Sequence, residues 1–201
     1  MARLQLSKSA LSREQRNLKT YQRFLPSLDL KRQQVMAERN KAAHQLVRTR
    51  QEIDAQRQAA GDTIPMMANR DVDLAGLAKV SDVRLGVENV VGTRLPTLKS
   101  VSVQVHDYPL MGKPFWVDSA AQMLCRILEL RVRAQVEERR LALLEQAVKT
   151  ITQRVNLFDK VLIPQAQRNI KRIRIYLSDL ETAAVVRSKI SKRKRADAEG
   201  V

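Results

Sequence analysis

The side chains that most often carry chemistry are rare in this sequence and stand apart from one another. The 201 residues include one cysteine, Cys125, and two histidines, His44 and His106. A lone cysteine allows no internal disulfide and no cysteine-based metal cluster, and no base is indicated that would activate it as a nucleophile. The histidines lack the His-x-x-x-His spacing of a zinc site on a helix. We therefore expect no metal site, and we interpret Cys125 as a small residue beside an apolar helix seam.

Motifs for nucleotide binding and acid–base catalysis are also missing. The sequence contains neither a Walker phosphate-binding loop nor a Gly-x-Gly-x-x-Gly turn. The six acidic residues between Gly61 and Pro114 are scattered and indicate no catalytic pair of carboxylates. We predict no catalytic residue, no cofactor and no enzymatic activity of this chain alone. No run of eighteen apolar residues and no apolar core of a secretory signal is present, so we expect a cytoplasmic protein without a membrane span.

Basic residues are the most prominent chemical feature of the chain. There are 37 lysines and arginines against 21 aspartates and glutamates, which leaves a formal net charge of +16. Such an excess attracts polyanions or an acidic protein surface, and its densest cluster lies at 187–195. This cluster could bind nucleic acid, anionic lipid or an acidic protein, although each single cation is equally well explained as part of a solvated helix face. Aromatic residues make up only 3% of the chain, which argues against stacking on single-stranded bases.

Glycine and proline divide the chain into the regions that must position these charges. Nine of the twelve glycines and prolines lie between Gly61 and Pro114, where the net charge is zero. The regions before and after this segment each carry a net charge of +8. We predict four parts: an N-terminal coiled-coil helix over 1–60, a middle segment over 61–118, a C-terminal coiled-coil helix over 119–195 and a frayed tail over 196–201.

Both outer regions repeat apolar residues with a period of seven. In the first region the two rows are Leu4, Leu11, Leu18 and Leu25, and Tyr21, Leu28, Val35 and Ala42, continued by Leu46 and Ile53. In the second region the seam includes Leu141, Leu144, Val148, Ile151 and Val155. Two such rows are typical of a coiled coil, and a sustained 3.5-residue period implies a left-handed supercoil. Because the middle segment must reverse the chain, we predict a mainly α-helical fold built on a long antiparallel two-helix coiled coil.

Two prolines interrupt the helical regions. Pro26 and Pro164 each remove a helical hydrogen bond, and we predict that they bend the helices. Near Pro164 the apolar steps from Leu162 to Ala166 to Ile170 are four and four, which is a small slip of the heptad phase. The spacing of a capping box, which predicts a helix start, is found in two pairs, Ser12 with Gln15 and Ser119 with Gln122. We expect the first helix to start between Ser7 and Ser12.

The middle segment has the pattern of a small β-structure. We predict a short helix over 65–79, followed by a strand with alternating apolar residues over 83–87. Asn89 and Gly92 predict the turn of a β-hairpin, with Leu95 and Pro96 after it on the return side. A second alternating stretch covers 101–105, and a second turn is predicted over 109–114. The segment is therefore one short hairpin or a three-stranded patch.

Four segments resemble motifs of the D subunits of the V-type and A-type rotary ATPases. Residues 156–164 (Asn-Leu-Phe-Asp-Lys-Val-Leu-Ile-Pro) resemble that family's Asn-Ala-Leu-Glu…Ile-Pro segment. Residues 173–192, with Ile-Arg-Ile-Tyr-Leu and then Arg-x-Lys-Ile-x-Lys, resemble the helix that follows it. Residues 88–96 (Glu-Asn-Val-Val-Gly-Thr-Arg-Leu-Pro) are similar to its Asn-Val-Met-Gly-Val-x-Val-Pro hairpin, and 25–32 to its Leu-Leu-Lys-x-Lys-Arg-Asp motif. The four matches follow the family's order and span nearly the whole chain.

The resemblance implies a rotating axle that has no catalytic residue. In this family the coiled coil stands inside a ring of three A and three B subunits, the F subunit docks on the stalk, and a funnel-shaped protein joins the base to the membrane rotor ring. The chain would then be cytoplasmic and peripheral to the membrane. We hypothesise that cations of the two helices face acidic or carbonyl-rich surfaces of the ring. The candidate contact residues are Lys31, Arg32, Arg187, Lys189, Lys192 and Arg193.

Two departures from the family pattern leave the coupling ion and the direction of the machine open. Gln33 stands where the family has aspartate, and 182–184 (Thr-Ala-Ala) replace a further charged run after Glu181. Two other functions share the coiled coil. One is a basic nucleic-acid-binding protein, in which the neutral middle segment has no role, so we expect no nucleic-acid partner. The other is a stalk or adaptor of a secretion-type ATPase.

Overall fold

The computed structural model of the chain describes residues 4–63, 76–106 and 116–199. In chain order the elements are helix α1 (Lys8–Thr63), strands β1 (Ala78–Val90) and β2 (Thr93–Val105), helix α2 (Trp116–Asn156), a π-helical turn (Leu157–Leu162) and helix α3 (Ile163–Glu199). The predicted mainly helical chain, with long N-terminal and C-terminal helices and a β-hairpin between them, is confirmed. The second helical region begins before the predicted residue 119, and α3 is still helical beyond residue 195.

The chain divides into two compact units. Unit 1 combines Met1–Leu30 with Ile151–Val201, and unit 2 is Lys31–Thr150. In unit 1 the side chain of Glu14 meets Asn169, and the ring of Tyr21 packs edge-on against Phe158 at a centroid distance of 5.5 Å. Residue numbers therefore rise along α1 while they fall along the opposite helices, which means that the helices of unit 1 are antiparallel.

The two helices of unit 2 are antiparallel as well. Arg50 of α1 forms an ion pair with Glu138 of α2 (Nη2 to Oε1, 2.7 Å), and Arg57 lines the same groove as Arg131. Their apolar contact is a cluster of buried residues, Leu46, Ile53, Leu130 and Ala134, with Leu141 packed against it. The heptad pattern thus builds the helix pair in the way that the sequence predicts.

The predicted seam residues of α1 are buried in unit 2. Val35, Ala42, Leu46 and Ile53 all lie in the protein interior. Thr49 also lies in this seam with only 1% of its surface exposed, and its hydroxyl forms no hydrogen bond with any residue that the structure describes. A buried hydroxyl without a partner costs roughly 1–3 kcal/mol. The apolar seam therefore tolerates one polar position, which the heptad rows of the sequence did not include.

Both helical regions begin earlier than the capping boxes predicted. The hydroxyl oxygen of Ser7 accepts a hydrogen bond from the backbone N–H of Ala10 (3.2 Å) and caps α1. The predicted start between Ser7 and Ser12 is confirmed, but the capping box of Ser12 with Gln15 does not mark it, because Ala10 is already helical and buried. The prediction of Ser119 is wrong, since α2 begins at Trp116, which is buried in an apolar cluster. In each case a buried apolar residue upstream of the capping-box serine, Ala10 or Trp116, is already part of the helix.

A π-helical turn accounts for the phase slip predicted near Pro164. The N–H of Ile163 bonds to the carbonyl of Phe158, five residues earlier, and this loop encloses one residue more than the bond of an α-helix. The buried residues Ile151 and Ala166 are fifteen positions apart, one more than two heptads. The wider turn takes up the extra residue. It also lies where the ring of Pro164 would collide with an α-helical carbonyl four residues earlier.

The strands β1 and β2 form a two-stranded antiparallel hairpin. Val90 pairs with Thr93, so the turn consists of Val91 and Gly92. Both residues have positive φ angles, 52° and 83°, as a type I′ turn requires. The predicted turn at Gly92 is confirmed. Asn89 differs from the prediction, because it belongs to β1 and pairs across the hairpin instead of forming the turn.

Other predictions for the middle segment are partly corrected. The predicted helix over 65–79 lies mostly outside the described residues, but its end is wrong, since Ala78 and Lys79 pair with β2 as the start of β1. The stretch 101–105 belongs to β2 together with Leu95, so the described residues form a hairpin instead of a three-stranded patch. The second turn predicted over 109–114 lies outside the described residues.

Replacing Val91 by asparagine is expected to stabilise the hairpin. A β-branched residue with positive φ is strained, the left-handed conformation costs an L-residue roughly 1–2 kcal/mol, and Asn-Gly is the preferred type I′ pair. We expect amide hydrogen exchange in β1 and β2 to slow about fivefold, which corresponds to about 1 kcal/mol. The control variant Val90→Asn, within the strand, should not slow exchange. Equal slowing in both variants would contradict the explanation by turn strain.

Candidate functional site

The C-terminal part of α3 carries the densest cationic cluster on an exposed stretch of helix. Ala166, Ile170 and Ile173 of α3 are buried, whereas every residue from 178 to 195 is exposed. These residues, named here the exposed end of α3, span about 27 Å at 1.5 Å per residue. Within the part of the chain that the structure describes, no other element covers this end.

Large apolar side chains also lie on the exposed end of α3. Four of them are between 42% and 55% exposed, namely Leu180, Val185, Val186 and Ile190. Single exposed apolar residues are normal on protein surfaces, but several on one uncovered stretch indicate a surface that a partner buries. Val186 and Ile190 are four positions apart and therefore share one face of the helix.

Four of the six predicted contact residues lie on the exposed end of α3. They are Arg187, Lys189, Lys192 and Arg193, and all four are exposed. Because an α-helix has 3.6 residues per turn, Lys189, Lys192 and Arg193 share one face, and Arg187 points to the opposite side. Together with Lys194 and Arg195, the cations of 187–195 surround the helix. The Nε of Arg187 donates to the carbonyl of Ala183 (3.2 Å), which holds that side chain along the helix.

The other two predicted contact residues lie in unit 2. Lys31 and Arg32 are half-buried on α1. A side chain added to Gly92 would meet the Nζ of Lys31 at 3.3 Å, so this ammonium group lies beside the hairpin turn. The six predicted contact residues therefore divide between the two units, and only the four on α3 share a surface.

The hairpin is attached to the helices of unit 2 by contacts that sequence reasoning missed. Arg140 of α2 donates to Glu88 of β1 (Nη2 to Oε2, 2.9 Å). Leu95 is only 1% exposed, and the half-buried Pro96 lines a groove together with Val136 of α2. Glu88 and Arg140 are far apart in the sequence, and no local motif predicts that they form an ion pair. The register of the helix pair against the hairpin brings them together.

The two predicted helix-bend residues lie in helical segments. Pro26 is inside α1, and Pro164 is the second residue of α3, directly after the π-helical turn. Close to Pro26, the hydroxyl of Ser27 donates to the carbonyl of Phe24 (2.8 Å). The bends at these two positions stay predictions.

Neither a metal-binding cluster nor a membrane-spanning helix is found among the described residues. Their His, Cys, Asp and Glu side chains form no group of three or more that could hold a metal ion. None of the described helices combines the length and the apolar character needed to cross a bilayer.

Positive charge is concentrated in unit 1. This unit has 18 basic and 7 acidic residues, a net charge of +11, although it is the smaller of the two. Unit 2 has 19 basic and 14 acidic residues, a net charge of +5. The excess therefore belongs mainly to the helices that carry the exposed end of α3.

The chain is similar to known proteins over nearly its whole length. The profile of the ATP synthase D-subunit family matches residues 10–193. The V-type ATP synthase D subunit of Borreliella burgdorferi is 32% identical over 192 residues, which cover 96% of this chain and 95% of that protein. The proteins of the same name from Chlamydia muridarum and Chlamydia felis are 30% and 28% identical, over 96% of this chain and 96% and 94% of their own lengths.

Proposed function

Because the chain belongs to the ATP synthase D-subunit family, whose members are parts of a rotary ATPase complex, we propose that it is the central-stalk shaft of a V/A-type enzyme. In this role it transmits torque between the ring that hydrolyses or synthesises ATP and the membrane rotor that moves ions. The shaft itself holds no catalytic residue and binds no cofactor. Its contribution is mechanical.

The observation that carries this proposal is the exposed end of α3. A helix about 27 Å long at 1.5 Å per residue, uncovered by the described chain and bearing four large apolar residues, is suited to insertion into a ring of proteins. Burying each of those side chains would contribute roughly 1.5–3 kcal/mol. The antiparallel packing of α1 against the buried part of α3 holds the start of this exposed end in place.

The distribution of cations suits a shaft that must turn. Electrostatic attraction acts over a longer range than apolar contact and needs less geometric fit. Cations that point around the helix present a charge to the ring in every rotational position. A single stripe of cations would instead favour one orientation. The six cations of 187–195, which together surround the helix, therefore favour rotation with retained attraction.

The proposal also names partners and a location. Three A and three B subunits would form the ring, the F subunit would bind the stalk, and a funnel-shaped protein would join its base to the membrane rotor. The chain would lie on the cytoplasmic side, peripheral to the membrane. Lys31, whose ammonium group lies beside the hairpin turn, and Arg32 are a second set of contact candidates in unit 2.

Charge reversal on the exposed end of α3 tests the proposal. We expect the fourfold variant Arg187→Glu, Lys189→Glu, Lys192→Glu, Arg193→Glu to bind a reconstituted A/B ring at least tenfold more weakly at low salt, because attraction becomes repulsion. The difference should shrink as salt screens the charges. Binding is measured by titrating labelled chain against the purified ring at several salt concentrations.

A matched variant separates this effect from net charge. Arg48, Arg131, Arg139 and Lys149 are exposed cations of unit 2, and replacing all four by glutamate changes the net charge equally. This control should bind the ring with an affinity close to that of the unmodified chain. Equal weakening in both variants, or no weakening in either, would contradict a contact at the exposed end of α3.

A further inference from the structure

A second cationic surface lies in unit 1, on one side of the α1–α3 pair. A groove of about 630 Å³ runs there between the two helices. Its lining consists of three aliphatic side chains, three cations and three amides. The cations are Lys19, Lys171 and Arg174, and the amides are Gln15, Gln22 and Gln167. No carboxylate is among the described residues that line it. We name this surface the basic groove.

The cations of the basic groove are not neutralised by the described part of the chain. Lys19, Lys171 and Arg174 form no ion pair or side-chain hydrogen bond with another described residue. Glu14, the carboxylate of α1 closest to the groove in sequence, instead accepts a hydrogen bond from Asn169 (3.3 Å). The positive charge of the groove is therefore available to a partner.

The high content of lysine and arginine does not by itself produce such a surface. Each of the grooves described in unit 2 includes at least one carboxylate beside its cations. In one of them Glu138 pairs with Arg50 at 2.7 Å. The basic groove differs because its cations converge from two helices without a compensating acid. This convergence is a property of the fold of unit 1.

We propose that the basic groove binds an acidic amphipathic segment of a partner protein. Its walls, 15–22 on α1 and 167–174 on α3, each cover two helical turns, or about 10 Å, which matches a segment of similar length. Carboxylates of the segment pair with the three cations, and the glutamines bond its remaining polar atoms. The aliphatic floor, which includes Leu18 and Ile170, receives an apolar side chain.

The aliphatic part of the lining favours a peptide over a nucleic acid. A phosphate backbone presents charge but no apolar surface, and it would leave Ile175, which is 55% exposed, against water or against phosphate. An amphipathic peptide satisfies both the cations and the aliphatic floor. The identity of the partner, another protein of the same rotary complex, rests on the proposed function, whereas the chemistry of the groove does not.

Zero-length cross-linking in the assembled complex tests this inference. A carbodiimide joins a lysine amine to a carboxylate only where the two are in direct contact, so Lys19 and Lys171 should become linked to Asp or Glu of a partner, as read by mass spectrometry. Lys19→Arg and Lys171→Arg should each remove their own cross-link and preserve assembly, because the charge is kept and the amine is lost. The exposed lysines Lys8 and Lys160 of unit 1 serve as internal controls.

A binding measurement with charge-reversed variants completes the test. The triple variant Lys19→Glu, Lys171→Glu, Arg174→Glu should bind the protein that is cross-linked to the groove lysines at least tenfold more weakly. The matched variant Lys8→Glu, Arg154→Glu, Lys160→Glu, outside the groove, should leave it within twofold. Equal effects of both variants would overturn the inference. It would also be overturned if nucleic acid co-purified with the chain and the groove lysines became reactive only after nuclease digestion.

The cross-linking result separates this inference from the proposed function. If the A and B subunits co-purify with the chain but Lys19 and Lys171 form no cross-link, the groove assignment is wrong and the proposed function stands. If both lysines are linked to carboxylates of a protein outside the rotary ATPase, the groove assignment stands and the proposed function fails.

Discussion

Deleting Lys160 from the π-helical turn should leave the stability of the protein within about 1 kcal/mol, because the turn then closes to an ordinary α-helix. The deletion removes the one residue that exceeds the heptad repeat. Ile151 and Ala166 become fourteen positions apart, and so do Val155 and Ile170. All four buried residues then keep their places in the seam. The comparison is made in a Pro164→Ala background, so that the proline ring does not meet a carbonyl in the tightened helix.

The matched deletion removes Arg48, an exposed cation in the regular part of α1. No π-helical turn is described in α1 that could absorb the change, so either Ile53 and its neighbours or Leu46 and its neighbours rotate out of the seam. At roughly 1.5–3 kcal/mol per large buried side chain, with smaller terms for Thr49 and Ala60, we expect a loss of about 3–5 kcal/mol. Urea unfolding followed by circular dichroism at 222 nm measures both variants. Similar losses for the two deletions would contradict the role assigned to the π-helical turn.

Ending the chain at Leu177 should abolish coupling to the ring and leave the fold intact. The described side chains removed by this truncation are all exposed, so the melting temperature of the free chain should change by no more than a few degrees. If the chain is the proposed shaft, binding to a reconstituted A/B ring should fall at least a hundredfold, because the insertion would bury several apolar side chains worth roughly 1.5–3 kcal/mol each. ATPase-driven rotation should disappear with it.

A second variant separates apolar contact from charge at the same end. Replacing Leu180, Val185, Val186 and Ile190 by glutamine keeps every cation and good helix propensity. We expect this variant to bind the ring with an affinity between those of the full chain and the truncated chain, and to retain the salt dependence. A truncated chain that binds as tightly as the full chain would contradict insertion of this helix end.

The helical framework could be predicted from local pattern, but the exact capping residues could not. A heptad seam needs only the spacing of apolar residues along one segment, which is why Val35, Ala42 and Ile53 were predicted to face a partner helix and are buried. A capping serine is a weaker signal, because Ser7 and Ser12 have similar chemistry. Ala10 is already helical and buried, and its N–H donates to Ser7, so Ser7 is the cap.

The hairpin illustrates the same division. Alternating apolar residues and Gly92 predict two strands and a turn from local sequence alone. The ion pair between Glu88 and Arg140, at 2.9 Å, carries no local signal. Such a pair forms only when two helices and a hairpin have taken up a fixed register. Many small apolar contacts together determine that register.

The candidate site was predicted in part for a related reason. The density of cations over 187–195 is a property of composition, so Arg187, Lys189, Lys192 and Arg193 could be named from the sequence. Their exposure follows from the absence of a described covering element, which no local pattern reports. The basic groove was not predicted at all, because Lys19 and Lys171 converge only after α1 and α3 have packed antiparallel.

The sequence by itself determined the long helices, the hairpin turn, the basic excess and the resemblance to the D-subunit family, because each depends on residue types and spacings within one segment. The tertiary structure alone decided which charges are neutralised and which converge, and where the extra heptad residue is absorbed. These outcomes depend on how distant segments align. Alignment is set by the total burial over a whole helix interface, so no single motif encodes it.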